Sequence, residues 1–130
     1  MRLRMVYKGP YEVLAVCGAD GRCPVLETIH GAPTNEGAAM LARLQRAAET
    51  GPPKSAVAFH GINKKRGAYE FKTRAWRMFC FRDGQAFICT HVEPKNSVKN
   101  KDYPRHERAV LVQRAAYVNA KQNGELQIEE

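Results

Sequence analysis

No stretch of this 130-residue chain approaches the roughly 18 consecutive apolar residues of a membrane-spanning helix. The apolar runs Val13 to Cys17 and Ala109 to Val112 are far too short, so no membrane partner is expected. The opening Met1-Arg-Leu-Arg-Met5 has no apolar core of signal-peptide length, and a cytoplasmic setting is expected. Cysteine is sparse: Cys17, Cys23, Cys80 and Cys89 include no Cys-x-x-Cys pair. Cys17, Cys23 and His30 match no usual zinc-ligand spacing, and Cys80 and Cys89 sit in apolar runs. Buried thiols are therefore expected, with no metal and no cofactor. Clustered acids able to hold two catalytic ions are missing as well, and so are internal repeats and low-complexity segments.

What is present suits one soluble domain. The chain is 44% hydrophobic and 26% charged, enough apolar material to offset chain entropy over most of its length. The net charge of +8 is uneven. Between His60 and Arg108 twelve Lys and Arg face five acids, a net of +7, and the remainder carries only +1. Such asymmetry points to an anionic partner, either nucleic acid or an acidic protein.

Element signals run in a clear order. Tyr11 to Cys17 is rich in β-formers and ends at the turn Gly18-Ala-Asp-Gly21, which reads as a first strand. Pro24 to His30 reads as a short helix opened by proline. Thr34 is placed to cap a second helix to about Glu49, with Met40, Leu41, Leu44 and Ala48 on its apolar stripe. Thr50-Gly-Pro-Pro53 closes it. Ala56 to Phe59 leads towards the sheet, and His60 to Gly67 reads as a basic loop. Ala68 to Thr73, Trp76 to Phe81 and Ala86 to Val92 read as three successive strands, the last two joined through Asp83-Gly84. After a basic loop from Lys95 to Tyr103, Pro104 opens a helix lined by Ala109, Val112, Ala116 and Ala120. The expected fold is α+β: a small antiparallel sheet of about four strands, two N-terminal helices and a C-terminal helix, all packed on one sheet face. Residues 1–124 are read as one domain and 125–130 as an acidic flexible tail.

The segment Gly67-Ala-Tyr-Glu-Phe-Lys-Thr-Arg-Ala-Trp-Arg-Met-Phe-Cys-Phe81, then Asp83-Gly84, then Phe87-Ile-Cys-Thr-His-Val92, resembles the core of the RelE/ParE toxin superfamily. The nearest likeness is to HigB-type toxins and their phage-derived relatives. Trp76-Arg77, His91, Lys95, Pro104 and Ala109 match the places where those proteins carry an aromatic-Arg pair, a late-strand His, a Lys-rich loop, a Pro and an Ala-rich helix. The resemblance implies the toxin of a type II toxin–antitoxin system, an mRNA endoribonuclease (mRNA interferase) acting on the ribosome. Its cognate antitoxin would be encoded alongside, as a helix-turn-helix protein.

Metal-free RNA cleavage needs a base for the 2′-OH, cations for the charged phosphorane-like state and an acid for the leaving 5′-oxygen. Arg77 suits the second role, since a guanidinium bridges two phosphate oxygens. By alternation it shares a strand face with Phe79 and Phe81. His60 aligns with a catalytic His of HigB proteins and His91 with one of the phage-derived relatives, so either is a candidate acid or base. Lys95 and Tyr103 fall where RelE-like ribonucleases place further basic and Tyr residues. Lys64, Lys65, Arg66, Arg74, Lys99 and Lys101 read as RNA-binding groups through their charge. Two places depart from the pattern. Ala68 and Glu70 stand where RelE uses two lysines, and Glu93-Pro94-Lys95 replaces an acidic-Tyr-His ending of some HigB proteins. A non-catalytic basic module of prophage origin, binding nucleic acid or protein, is the alternative that these departures favour. A gyrase-directed toxin of the ParE type is a third.

Overall fold

The computed structural model describes residues 1–130. Seven strands form one mixed sheet: β1 (Arg2–Lys8), β2 (Glu12–Cys17), β3 (Phe59–Asn63), β4 (Ala68–Lys72), β5 (Trp76–Asp83), β6 (Ala86–Pro94) and β7 (Gln127–Glu129). Their order across the sheet is β3-β4-β5-β6-β2-β1-β7. Neighbours are antiparallel except β2 with β6 and β1 with β7, which run parallel. Three helices complete the chain: α1 (Pro24–Gly31), α2 (Thr34–Thr50) and α3 (Tyr103–Gln122). No helix is long and apolar enough to cross a membrane.

This overturns the expected four-stranded antiparallel sheet. Three strands were absent from that reading, and two of the pairings are parallel. Strand β1 alternates Leu3 and Met5 against Arg2 and Arg4, in a segment weighed above only for its lack of a signal-peptide core. Strand β3 begins at Phe59 and takes in the first half of the segment read as a basic loop; its His60 and Gly61 pair with Glu70 and Tyr69 of β4. The segment read as a flexible tail includes β7, aligned on β1 by Arg4–Glu129 (3.3 Å) and Lys8–Glu130 (3.2 Å).

The helices also cover both sheet faces, not one. Alternate strand residues explain this, because neighbours in a strand point to opposite sides. Val13, Ala15, Met78, Cys80, Phe87 and Cys89 pack against Val25, Ile29, Met40 and Leu44 of α1 and α2. Leu14, Phe79, Phe81 and Ile88 form the other face with Val110 and Tyr117 of α3. All four cysteines are buried free thiols.

Local sequence accounts for the helices. Pro24 opens α1 at a position where its missing N–H costs nothing. Thr34, expected as a cap, is the first residue of α2 instead; Pro33 holds the cap position without a side-chain bond. Gly37 lets α1 and α2 touch, since a Cβ there would lie 2.6 Å from the Ile29 carbonyl oxygen. In α3 the buried residues are His106, Val110, Tyr117 and Ala120. Of the expected stripe only Ala120 is inside; Ala109 and Ala116 are exposed, and Val112 is 66% exposed. Small apolar residues lie all round this helix, so periodicity alone does not choose its inner side, and His106 and Tyr117 were not counted as apolar.

The same truncation two residues apart tests that assignment. Val110→Ala is expected to destabilise by roughly 2 kcal/mol, through lost burial and the cavity left behind. Val112→Ala should stay within about 0.5 kcal/mol of the parent. Urea denaturation midpoints that coincide for the two variants would refute the orientation of α3.

Candidate functional site

Register across four strands sets out one transverse row on the α3 face: His60 of β3, Glu70 of β4, Phe79 of β5 and His91 of β6 are successive partners. The next row along is Lys72, Arg77 and Glu93. The start of α3 lies over these rows and adds Tyr103 and His106.

Glu70 is the centre of the arrangement. Its side chain is 0% exposed, yet it is an acid in mid-strand. The Tyr103 hydroxyl donates to its Oε1 at 2.7 Å, His60 Nδ1 lies 3.1 Å from the same oxygen, and Lys72 Nζ is 3.8 Å away. A carboxylate only accepts, which places a His60 proton on Nδ1, so that in the neutral ring the lone pair is on Nε2. The His60 side chain is 46% exposed, so a buried acid orients an imidazole that solvent and ligands reach. Glu70 Oε2 has no partner. Burial, then the bond to Glu70 and the Glu70 charge, push the Tyr103 phenol up to about 12, with the Arg77 charge opposing. Tyr103 is thus a donor that stays protonated at neutral pH.

Arg77 is half-buried. One terminal nitrogen, Nη1, donates to the carbonyl oxygens of Thr73 (2.6 Å) and Trp76 (3.1 Å), fixing the side chain to the β4–β5 turn. Its charge is close enough to act on Tyr103. As alternation requires, it lies on the Phe79 face.

His91 reaches that face through a register shift between Phe79 and Cys80 of β5, where Cys89 and His91 are both paired and Thr90 is the extra residue of β6. Such a bulge re-aims the side chains that follow it. The Thr90 hydroxyl donates to the Phe79 carbonyl (3.3 Å) and accepts from His91 Nδ1 (2.9 Å). His91 Nε2 therefore accepts from His106 Nδ1 at 3.0 Å, and His106 Nε2 is buried without a partner. Phe79 stacks on both imidazoles, with ring centroids 4.6 and 4.3 Å away. Burial first, then the His106 and Arg105 charges, hold His91 down to about 4; burial and Arg105 lower His106 too. Both His91 nitrogens are occupied, unlike those of His60.

The remaining candidates separate. Lys95, exposed, opens a short 3-10 turn (Lys95–Ser97) just beyond β6, at the same sheet end as Arg74 and Arg77. Lys64, Lys65 and Arg66 form an exposed 3-10 turn between β3 and β4, at the opposite end of β4 from Arg74. Lys99 and Lys101 are exposed just ahead of α3, where the Lys99 backbone N–H donates to Asp102 (2.9 Å). Glu70, Lys72 and His106 escaped the sequence reading as site members. The available signal was an acid on the strand face that Ala68 and Phe79 also occupy.

None of the five main concavities of the surface is lined by His60, Glu70, Lys72, Arg77 or Tyr103. Residues 27–116 match the family described as Phage derived protein Gp49-like (DUF891). The chain belongs to that family, one of RelE/HigB-like toxin-type proteins. The matched span contains every residue of the rows above, together with α2 and most of α1 and α3. No match is found among curated proteins or solved structures.

The neutral His91 makes the fold acid-sensitive. Its folded value of about 4 lies below the ordinary 6.5, so between these limits the unfolded chain binds more protons. Its contribution is therefore complete above about pH 6.5 and is lost as pH falls towards 4. Urea unfolding across this window should show the loss, flattened in His91→Gln. An NMR titration showing His91 protonated near pH 6.5 would contradict the arrangement.

Proposed function

We propose that the protein is the toxin of a toxin–antitoxin pair and cleaves mRNA without a metal, on translating ribosomes. The observation that carries this reading is the buried Glu70 carboxylate holding the accessible His60 imidazole, beside Tyr103, Lys72 and Arg77. Family membership and the concentration of positive charge between His60 and Arg108 support it.

In this mechanism His60 Nε2 takes the proton from the attacking 2′-OH, and Glu70 stabilises the imidazolium through its bond to Nδ1. The 2′-oxygen bonds to phosphorus as the bond to the 5′-oxygen breaks, giving a 2′,3′-cyclic phosphate and a 5′-hydroxyl. The leaving oxygen takes its proton from the imidazolium, returning His60 to its starting state. Arg77 and Lys72 balance charge on the non-bridging oxygens. Tyr103 keeps Glu70 in place, and Lys95, Arg74, Lys64, Lys65, Arg66, Lys99 and Lys101 hold the flanking phosphates. His91 supports the floor through Phe79 and His106. The antitoxin, a helix-turn-helix protein, would restrain the toxin until needed.

Controlled expression in bacteria, with primer extension on abundant mRNAs, tests this reading. New 5′ ends within coding regions are expected from the parent. Glu70→Gln and His60→Gln should reduce cleavage by about 10²- to 10⁴-fold. Arg77→Ala should cost about 10²-fold or more. Tyr103→Phe should cost less than Glu70→Gln, because it removes one of several Glu70 partners. Full cleavage by folded Glu70→Gln and His60→Gln would sink the site. Intact mRNA with the folded parent would favour the non-catalytic binding module.

A further inference from the structure

On the α1/α2 side of the sheet, a concavity of about 420 Å³ lies between α2 and the segment that follows it. Arg43, Arg46 and Lys54 line it, with Thr50 and Ser55, and no acid does. Arg43 and Arg46 are one helical turn apart on α2, where side chains three positions apart are neighbours. The chain then reverses: Gly51 has φ 88°, a conformation that favours glycine, and Pro52-Pro53 stiffens the path that carries Lys54 back to the concavity.

None of the three cations has an acidic partner within ion-pair distance. Of the nearby acids on α2, Glu36 accepts from the Trp76 indole (3.1 Å), and Glu49 is exposed and lines no part of the concavity. The Arg43 Nε is buried and has no partner. A buried guanidinium N–H left unbonded is costly, and it marks a donor that lacks its acceptor.

Compensation of the α2 C-terminus does not explain the cluster. The Arg46 carbonyl accepts from the Thr50 hydroxyl (2.9 Å), Ala47 from the Gly51 N–H (2.8 Å) and Ala48 from the Tyr11 N–H (3.0 Å). These three carbonyls have their partners without the cations, and Arg43 lies about two turns before the helix end.

We infer that Arg43, Arg46 and Lys54 form a second phosphate-binding site, separated by the sheet from the His60–Glu70 cluster. Three converging cations, the Ser55 hydroxyl and an unused buried donor match a phosphate oxygen array. Arg46, Thr50, Lys54 and Ser55 on its lining are exposed, so one phosphodiester of a polynucleotide reaches them while its chain continues past. The same chemistry also accepts a free phosphate, so the source is an arm of the test. A polynucleotide seated here would approach the face opposite the proposed cleavage site.

NMR of the full chain reads the site directly through the Arg43 Nε–H resonance. Inorganic pyrophosphate and a twelve-nucleotide oligoribonucleotide are titrated separately at low salt. Saturable shifts with the oligoribonucleotide are expected, and the double variant Arg46→Gln/Lys54→Gln, both exposed positions, should abolish them. In that variant the slope of log K against log salt should fall by about one for each phosphate contact removed. Arg43→Gln should act likewise if it folds, but the conclusion does not depend on it. Shifts with pyrophosphate alone would assign the site to free phosphates. Oligoribonucleotide binding that leaves Arg43 unmoved, or binding unchanged in the double variant, would overturn the inference.

Discussion

The candidate site depends on keeping one carboxylate out of water. Glu70 has lost all of its solvent contact, and burial of an acid is expensive unless partners replace water. Here they come from three separate parts of the chain: His60 from β3, Lys72 from the same strand and Tyr103 from the first turn of α3. That requirement ties the helix to the sheet at the end where the cations gather. It also gives His60 a fixed tautomer, which an exposed imidazole on a flexible loop would not have. Phe79 serves the same end, as a flat floor on which His91 and His106 stack beside the carboxylate.

The three helices and the strands β4 to β6 were legible in the sequence because each carries strong local punctuation. Pro24, Gly51-Pro52-Pro53, Asp83-Gly84 and Pro104 bracket them within a residue or two. Layering was not legible. Which face a helix covers depends on pairings between residues distant in the chain, such as Glu12–Ala15 with Ala86–Cys89, and nothing local announces a parallel pair. The edge strands β3 and β7, and β1 beside β7, are short or half-exposed, so their alternation is weak against their charged residues.

The candidate site shows the same division. His60, Arg77 and Tyr103 were named from residue type and from resemblance, and the structure brings His60 and Arg77 to neighbouring rows with Tyr103 of α3 above them. Glu70 was noticed only as a replacement for an expected lysine. Its importance is a tertiary fact: burial and the approach of Tyr103 from 33 positions away turn an apparent loss into the organising group. His91 illustrates the reverse. Its position suggested an acid or base, but Thr90 and His106 occupy both of its nitrogens.

The extra residue at Thr90 has a consequence for comparing chains of this kind. Before it, Ile88 faces α3 and Cys89 faces α1 and α2; after it, the parity inverts, and His91 faces α3 while Val92 packs against the opposite core. A related chain lacking that single residue would need a one-position gap at this point for inward and outward residues to correspond. Without the gap, an alignment would equate His91 with residues of the other core, and identity along the end of β6 would be read across two different environments.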